Sequence, residues 1–257
     1  LTITGPSDKG GCAMDAIRIE PVRNIALVSN LGADKTSLAE ALLYTGGAIQ
    51  SLGTVLQGTT VSDFEPEELH HHCSASTSLL QFSWNQTAVT IVDVPGALSL
   101  LGESLAALRA VDAIIVVLNP GAGVRTELAR LWQRAKEAEL PCLIFVNGLD
   151  KEGAAFDAAL EVCRTQFECA PVPMVLPVHS GSGFNSVIDL LEQTLIRSGS
   201  LSPRVERAAV PPEMEQAALR ARKHMLEAVA ESDEALLNCY LEQGDLQQEQ
   251  LIRGLRN

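Results

Sequence analysis

The sequence predicts an α/β fold: a doubly wound, mostly parallel β-sheet with helices on both faces, followed by a helical appendage. Strand-like apolar runs alternate with segments of helical period, which is typical of a parallel sheet covered by helices. Two runs, Ala113–Leu118 and Cys142–Val146, are continuously apolar, as strands buried on both faces are. From residue 212 onward the chain is rich in Glu, Gln, Ala and Leu, and this composition predicts the helical appendage.

Composition excludes several classes of protein. The 257 residues are 46% hydrophobic and 20% charged, which is ordinary for a globular chain, and no apolar run reaches the ~20 residues of a membrane helix. A formal net charge of −13 disfavours a direct nucleic-acid patch. Six cysteines without a CxxC pair, and no visible secretory signal, favour reduced thiols in a cytoplasmic protein.

Sequence periodicity locates the individual elements. Strands are predicted at residues 25–28, 77–84, 88–92, 113–118 and 142–146. Helices are predicted at residues 36–43, 98–111, 127–140, 184–196, 217–231 and 234–242. Residues 1–23 have neither period and predict a flexible leader, whereas residues 44–72 form a polar loop of a length that is usually functional or mobile. The change in pattern predicts one domain over residues 24–200 and a helical subdomain over residues 201–257.

Residues 25–36 read IALVSNLGADKT and predict a strand, a tight turn and a helix start. This is the order of a phosphate-binding loop, in which backbone N–H groups surround phosphates, a lysine reaches the outer phosphates and a hydroxyl holds magnesium. Lys35 and Thr36 stand at the lysine and hydroxyl positions. Ser29 and Asp34 stand where the loop pattern has its first and last glycines, so the frame of the loop is present but its glycines are replaced.

Two later strands end in polar residues. The strand at 88–92 leads into Asp93 and a Pro-Gly turn, and the strand at 142–146 leads into Asn147 and Asp150. Ligands bind at the carboxyl ends of the strands in open α/β sheets. Asp93 and Asp150 therefore predict a site at that edge, although caps of ordinary loops would look the same.

A run of three histidines and a cysteine at residues 70–73 suggests a metal site by composition. Adjacent residues on an extended chain point to opposite faces and do not converge on one ion. We therefore interpret this run as part of a solvated loop.

These motifs, in this order, resemble the G domain of translational GTPases, most closely the elongation factor G family and its elongation factor G-like bacterial branch. The resemblance rests on GTTVSDFEPEE, VDVPG, GESLAALRAVDAIIVVLNPGAGV, LPCLIFVNGLDKEGAAFDAAL and VLPVHSGSGFNSVIDLL. It implies a P-loop NTPase-like fold over residues 24–200 and the start of the family's helical insertion over residues 201–257. The last guanine-binding motif, which follows the insertion in the family, and the downstream domains are absent from these 257 residues.

The resemblance also implies a set of site residues. The nucleotide-binding residues would be Asn30, Gly32, Ala33, Asp34, Lys35, Thr36, Ser74, Gly96, Asn147 and Asp150. Magnesium would be held or sensed by Thr36, Ser74 and Asp93, and the guanine would be read by Asn147 and Asp150. The implied cofactors are GTP or GDP with Mg2+, or none if the site no longer works, and the implied partner is the ribosome.

Four departures from the family pattern affect the expected chemistry. Ala97 replaces the histidine that orients the attacking water, Gly148 replaces a lysine that covers the base, Asn119 replaces an aspartate, and Asp34 replaces a loop glycine. A unit charge ~5 Å from one phosphate charge, at an effective dielectric constant of ~20, costs about 3 kcal/mol, or roughly two decades of affinity.

We therefore predict weak or absent nucleotide binding and impaired hydrolysis. Three functions stay open at this point. They are an active ribosome-dependent GTPase in translation elongation or ribosome recycling, a nucleotide-binding switch without turnover, and a nucleotide-independent protein-binding scaffold.

Overall fold

The computed structural model describes residues 21–199 and 202–255 of the 257-residue chain. Most of the predicted leader, residues 1–20, lies outside the described residues, and the first strand begins at Val22 rather than at residue 25. Two β-sheets organise the described part of the chain. No helix in that part combines the length and the apolar character needed to cross a membrane.

The larger sheet has five strands in the order β2-β3-β1-β4-β5. These are β1 (Val22–Ser29), β2 (Ser78–Trp84), β3 (Thr87–Asp93), β4 (Ala113–Leu118) and β5 (Cys142–Val146). The strands β3, β1, β4 and β5 run parallel, and β2 is antiparallel to β3. All five correspond to predicted strands, and the predicted fold class is confirmed.

Successive side chains of a strand point to opposite faces of the sheet. Because apolar side chains lie on both faces of this sheet, helices cover both of them. Four helices contribute residues to the cores on this sheet: α1 (Lys35–Thr45), α3 (Leu101–Ala107), α4 (Thr126–Glu137) and α5 (Phe156–Gln166). On β1, Ala26 and Val28 face a core shared with α3, α4 and α5. Leu27 faces a separate core that contains Ala39 and Leu43 of α1.

Residues 98–111 do not form the single helix that the periodicity predicts. The α-helical part, α3, is only seven residues long, and a 3₁₀ turn flanks it on each side, at Leu98–Leu100 and Leu108–Ala110. Short 3₁₀ turns are frequent at helix ends. The predicted element therefore exists, with a shorter α-helical centre.

The polar segment between α1 and β2 is more ordered than its composition suggests. It contains a short helix, α2 (Pro66–His71), which begins with a capping box between Glu65 and Glu68. The buried Glu68 carboxylate accepts hydrogen bonds from the backbone nitrogens of Phe64, Glu65, Ala75 and Ser76. Glu40 of α1, also buried, accepts from Gly53 N at 3.0 Å and Val61 N at 2.5 Å. Two carboxylates thus hold the segment in place.

The second sheet has four strands in the order β6-β7-β8-β9, and all pairs are antiparallel. The strands are β6 (Val175–Pro177), β7 (Ser186–Asp189), β8 (Thr194–Gly199) and β9 (Ser202–Ala209). The helix predicted over residues 184–196 is therefore wrong. Its apolar residues are spaced like those of a helix, but Asp189 Oδ1 accepts hydrogen bonds from Leu191 N and Glu192 N. These bonds close a turn between two strands.

Three helices follow the second sheet: α6 (Pro212–Ala230), α7 (Glu234–Gln243) and α8 (Gln248–Gly254). The first two correspond to predicted helices, and the Asp233 side chain caps the start of α7 by accepting hydrogen bonds from Ala235 N and Leu236 N. Ile188 and Leu195 of the sheet share one buried core with Met225 of α6. The second sheet and the C-terminal helices therefore pack against each other as two layers around one core.

Candidate functional site

The turn between β1 and α1 has the predicted strand-turn-helix form. Gly32 and Asp34 both adopt left-handed backbone conformations, with φ of +82° and +57°. Aspartate is among the few non-glycine residues that visit this region routinely. Asp34 therefore keeps the backbone shape that a glycine would give, although it adds a carboxylate. Ala33 N donates to Asn30 O at 3.3 Å and closes the turn.

Asn30 is buried, and both polar atoms of its side chain form hydrogen bonds with the protein backbone. Its Nδ2 donates to Gly123 O at 2.7 Å, and its Oδ1 accepts from Arg125 N at 3.1 Å. Ser29, also buried, donates from Oγ to Asn30 O at 2.9 Å. These bonds fix the turn to the segment that follows β4, so only the backbone of Asn30 is left to face a ligand.

Lys35, Thr36 and Asp93 lie together at the carboxyl end of β3, as the sequence predicts. The Lys35 ammonium forms a buried ion pair with Asp93 Oδ1. The Thr36 hydroxyl lies 3.3 Å from Asp93 Oδ2. The buried cation at the start of α1 and the acid at the end of β3 are thus in direct contact.

Ser74 and Asp63 extend this cluster from the ordered polar segment. Ser74 Oγ is 3.3 Å from the Thr36 hydroxyl and donates to Asp63 Oδ1 at 2.8 Å. Asp63 is 3% exposed, and its Oδ2 has no hydrogen-bond partner. Burial raises the pKa of the Asp63 carboxyl above its ordinary value, the hydrogen bond from Ser74 opposes this, and the negative charge of Asp93 adds to it.

Asp63 is not among the site residues that the sequence predicts. It stands in an acid-rich segment, SDFEPEE, where nothing in the composition separates a buried acid from solvated ones. The oxygen atoms of Thr36, Asp63, Ser74 and Asp93 are the donor type that Mg2+ prefers. The unpartnered oxygen of Asp63 supports the fit of a hard cation here.

Gly96 packs directly against the turn between β1 and α1, residues 30–34, which is called the phosphate turn below, after the role that the sequence predicts for it. A Cβ atom at this position would lie 3.2 Å from Leu31 N and 3.4 Å from Asn30 C, so a side chain would press on the backbone of the turn. Ala97 is the next residue in the chain and lies immediately before the 3₁₀ turn at Leu98–Leu100. Its methyl group has neither a donor nor an acceptor with which to orient a water molecule.

The loop after β5, residues 147–151, lies beside the same turn and is called the base-reading loop below, after the role that the sequence predicts for it. Asn147 Nδ2 donates to Ala33 O at 3.1 Å. Asp150 is exposed, and Leu149 O accepts from Gly181 N at 2.7 Å. The structure thus brings Asn147 to the phosphate turn and leaves the Asp150 side chain at the surface.

One contact in this region was not predicted. Lys151 Nζ forms an ion pair with Asp34 Oδ2 at 2.6 Å, and the hydrogen bond with Asp34 raises the pKa of Lys151 above its ordinary value. The loss of phosphate affinity that the sequence predicts for Asp34 is that of a carboxylate without a cationic partner. Because the carboxylate has a cationic partner, that loss is an overestimate.

The remaining departures and the histidine run have local roles. The Asn119 side chain accepts from Gly121 N at 3.1 Å after β4. The rings of His70 and His71 meet edge to face, and His72 Nδ1 lies 3.3 Å from Val55 O. Within the described residues, no group of three or more His, Cys, Asp or Glu side chains is arranged to hold a metal ion by itself.

Comparisons with known proteins agree on one family. Residues 20–245 match the family model described as elongation factor Tu GTP binding domain. Elongation factor G of Thermotoga petrophila is 33% identical over 241 residues, which cover 93% of this chain and 35% of that protein. Elongation factor G of Thermotoga maritima is 32% identical with the same coverage.

A solved structure has a similar fold. The crystal structure of a Thermus thermophilus protein matches with a TM-score of 0.82 and 34% identity, and the match covers 91% of this chain and 35% of that one. The chain thus spans about a third of the length of the curated relatives it matches.

Proposed function

This chain belongs to the elongation factor Tu GTP-binding domain family, and we propose that it is the G domain of an elongation factor G-like translation factor with an altered nucleotide site. In this proposal the site binds GTP or GDP together with Mg2+ and hydrolyses GTP slowly or not at all. The similarity to elongation factor G over 93% of the chain supports the translation-factor part of the proposal.

The main observation in support of nucleotide binding is the connected polar cluster beside the phosphate turn. Lys35 contacts Asp93, Thr36 lies between Asp93 and Ser74, and Ser74 bonds to Asp63. A polyphosphate needs a buried cation and backbone N–H groups at a helix start. This cluster and turn offer both. The Asp34 charge, which opposes binding, is paired with Lys151.

The residues present fit Mg2+. Thr36, Ser74 and Asp93 would hold it, and Asp63 adds a fourth oxygen-bearing side chain nearby. When bound, Mg2+ would neutralise phosphate charge. The four protein groups then have one function in common, which is to present oxygen atoms to a hard cation.

Impaired hydrolysis follows from Ala97. Phosphoryl transfer to water requires a group that positions the attacking molecule, and the protein supplies little other covalent chemistry. A methyl group cannot do this. We therefore expect binding without appreciable turnover, a state in which the bound nucleotide acts as a switch or as a structural ligand.

Isothermal titration of the chain with GTP and GDP in the presence of Mg2+ tests the proposal. We expect saturable binding that Lys35→Ala abolishes, and GTP hydrolysis no faster than buffer background. If neither nucleotide binds, the scaffold alternative is favoured, because the altered residues Asp34, Ala97 and Gly148 would then mark a site that no longer works. Multiple turnover that Lys35→Ala removes would favour the active GTPase.

We also propose the ribosome as the partner, on the basis of the elongation factor G relatives. Cosedimentation of the chain with ribosomes, with GDP or a non-hydrolysable GTP analogue, tests this. Sedimentation that is equal with and without ribosomes would contradict it.

A further inference from the structure

Two side chains of the base-reading loop, those of Asn147 and Lys151, contact the phosphate turn. Asn147 Nδ2 donates to the backbone oxygen of Ala33, and Lys151 Nζ pairs with Asp34 Oδ2 at 2.6 Å. The two charged side chains are 50% and 48% exposed. Asp34 is the first residue before α1, so its charge lies where a bound phosphate would be.

The side chain of Lys151 folds back over Gly148. A Cβ atom at residue 148 would lie 3.3 Å from Lys151 Cδ and 3.4 Å from its Cε. Gly148 has φ of +76°, where a larger residue would be strained, and Lys151 N donates to Gly148 O to close the turn. The glycine therefore leaves both the space and the backbone shape that let Lys151 reach Asp34.

We propose that Asp34 and Lys151 form a charge-compensated clamp, in which Lys151 neutralises the acid of the phosphate turn and holds the base-reading loop against it. Lys151 is a positioning residue in this scheme. The inference deepens the proposed function and rests on it, because the anion affected is the phosphate of a guanine nucleotide. It also means that Asp34 alone is not the defect of the site.

The clamp acts on binding more than on folding. An ion pair that is half exposed contributes little to stability, because water screens both charges. A bound polyphosphate changes the situation, because an unpaired carboxylate close to it is repelled strongly. Loss of the Lys151 charge should therefore weaken nucleotide binding, and removal of the Asp34 charge should restore it.

A double-mutant cycle with charge-only substitutions tests the clamp. Lys151→Met keeps the stem over Gly148, and Asp34→Asn keeps a residue that tolerates the left-handed backbone. We expect Lys151→Met to weaken GDP binding in Mg2+ by about tenfold, and the double variant to return to within about threefold of the original affinity. Lys223→Met, which breaks an exposed ion pair with Glu227 on α6, is the control and should leave affinity unchanged.

The clamp is wrong if Lys151→Met binds GDP like the unmodified chain, or if adding Asp34→Asn gives no recovery. A nucleotide-free measurement separates this from failure of the proposed function. Titration of the Lys151 ammonium by NMR should give a pKa that is raised in the unmodified chain and falls towards its ordinary value in Asp34→Asn. Absence of GDP binding by the unmodified chain overturns the proposed function, whereas a Lys151 pKa that Asp34→Asn does not change overturns the clamp.

Discussion

Asp63 lies buried beside the phosphate turn, and its Oδ2 has no hydrogen-bond partner. Burial raises the pKa of the Asp63 carboxyl, the hydrogen bond from Ser74 lowers it, and the negative charge of Asp93 raises it further. A carboxyl whose folded pKa exceeds its unfolded pKa disfavours folding once it ionises. The loss of stability begins as pH rises above the ordinary value of 3.8 and is complete above the folded pKa.

Asp63→Asn should therefore stabilise the nucleotide-free chain at pH 7, and the gain should vanish at pH values below the unfolded pKa. The same substitution should reduce the stabilisation that Mg2+ gives, because it removes a negative oxygen donor. Thermal unfolding with and without Mg2+ across pH measures both effects. Asp157→Asn, an exposed acid on α5, is the control. Lower stability of Asp63→Asn at pH 7 would contradict the account.

The predictable residues and the missed ones differ in how their contacts arise. Lys35 and Thr36 follow from a local motif, and Asp93 follows from its place at the end of a strand. The Asp34–Lys151 pair joins residues 117 positions apart, and nothing local in either segment points to the other. A single sequence therefore predicts the frame of the site but not the partner of its unusual acid.

At the scale of elements, apolar runs located the five strands of the larger sheet because burial on both faces leaves a strong local signal. The helix predicted in place of the β7–β8 hairpin is wrong because Ile188, Leu191 and Leu195 have the i, i+3, i+7 spacing of a helical face, although Leu191 lies in the turn between the two strands. The turn chemistry of Asp189 decides between them, and a propensity pattern gives that residue little weight.

Removal of the turn acceptor should be measurable. Asp189→Ala leaves the backbone nitrogens of Leu191 and Glu192 without their hydrogen bonds and should lower the free energy of unfolding by about 1 kcal/mol. Asp189→Asn retains an acceptor and should cost less. Urea unfolding of the two variants compares them, and equal losses would show that the side-chain oxygen does not stabilise the turn.

The ordered segment between α1 and β2 depends on Glu68. Burial alone would raise the pKa of Glu68, but hydrogen bonds from the backbone of Ala75, Glu65, Ser76 and Phe64 lower it below its ordinary value. A carboxyl with a lowered folded pKa contributes stability that is present above the unfolded pKa. That stability is lost as pH falls through the folded pKa.

Glu68→Gln should destabilise the chain by roughly 2 kcal/mol at pH 7, because charged hydrogen bonds are lost and an amide NH₂ faces backbone donors. The difference from the unmodified chain should shrink as pH falls from the ordinary value of 4.5 through the lower folded pKa. Hydrogen exchange should speed up mainly in residues 53–76. Glu67→Gln, an exposed acid in the same helix, is the matched control, and an equal effect there would contradict a specific role for Glu68.

At the scale of the whole molecule, the described residues have two distinct centres of packing. The larger sheet and its helices enclose cores around β1, whereas β7, β8 and the C-terminal helices share another. The division at residues 200 and 201 stays a prediction. The shared core supports a proposal that the second unit begins earlier, at β6, because a strand belongs with the helices whose apolar residues it buries.

Met225 on α6 tests where that unit begins, because it is fully buried in the second core. Met225→Ala should lower the free energy of unfolding by about 3 kcal/mol through loss of buried surface and creation of a cavity. If β6 to β9 unfold with the helices, hydrogen exchange should speed up from residue 175 to residue 255 while β1, α1 and GDP affinity stay unchanged. Leu219→Ala, on the same helix but 61% exposed, should change neither. Faster exchange limited to residues after 201 would instead support the boundary predicted from sequence, because β6, β7 and β8 would then keep their protection when α6 is weakened.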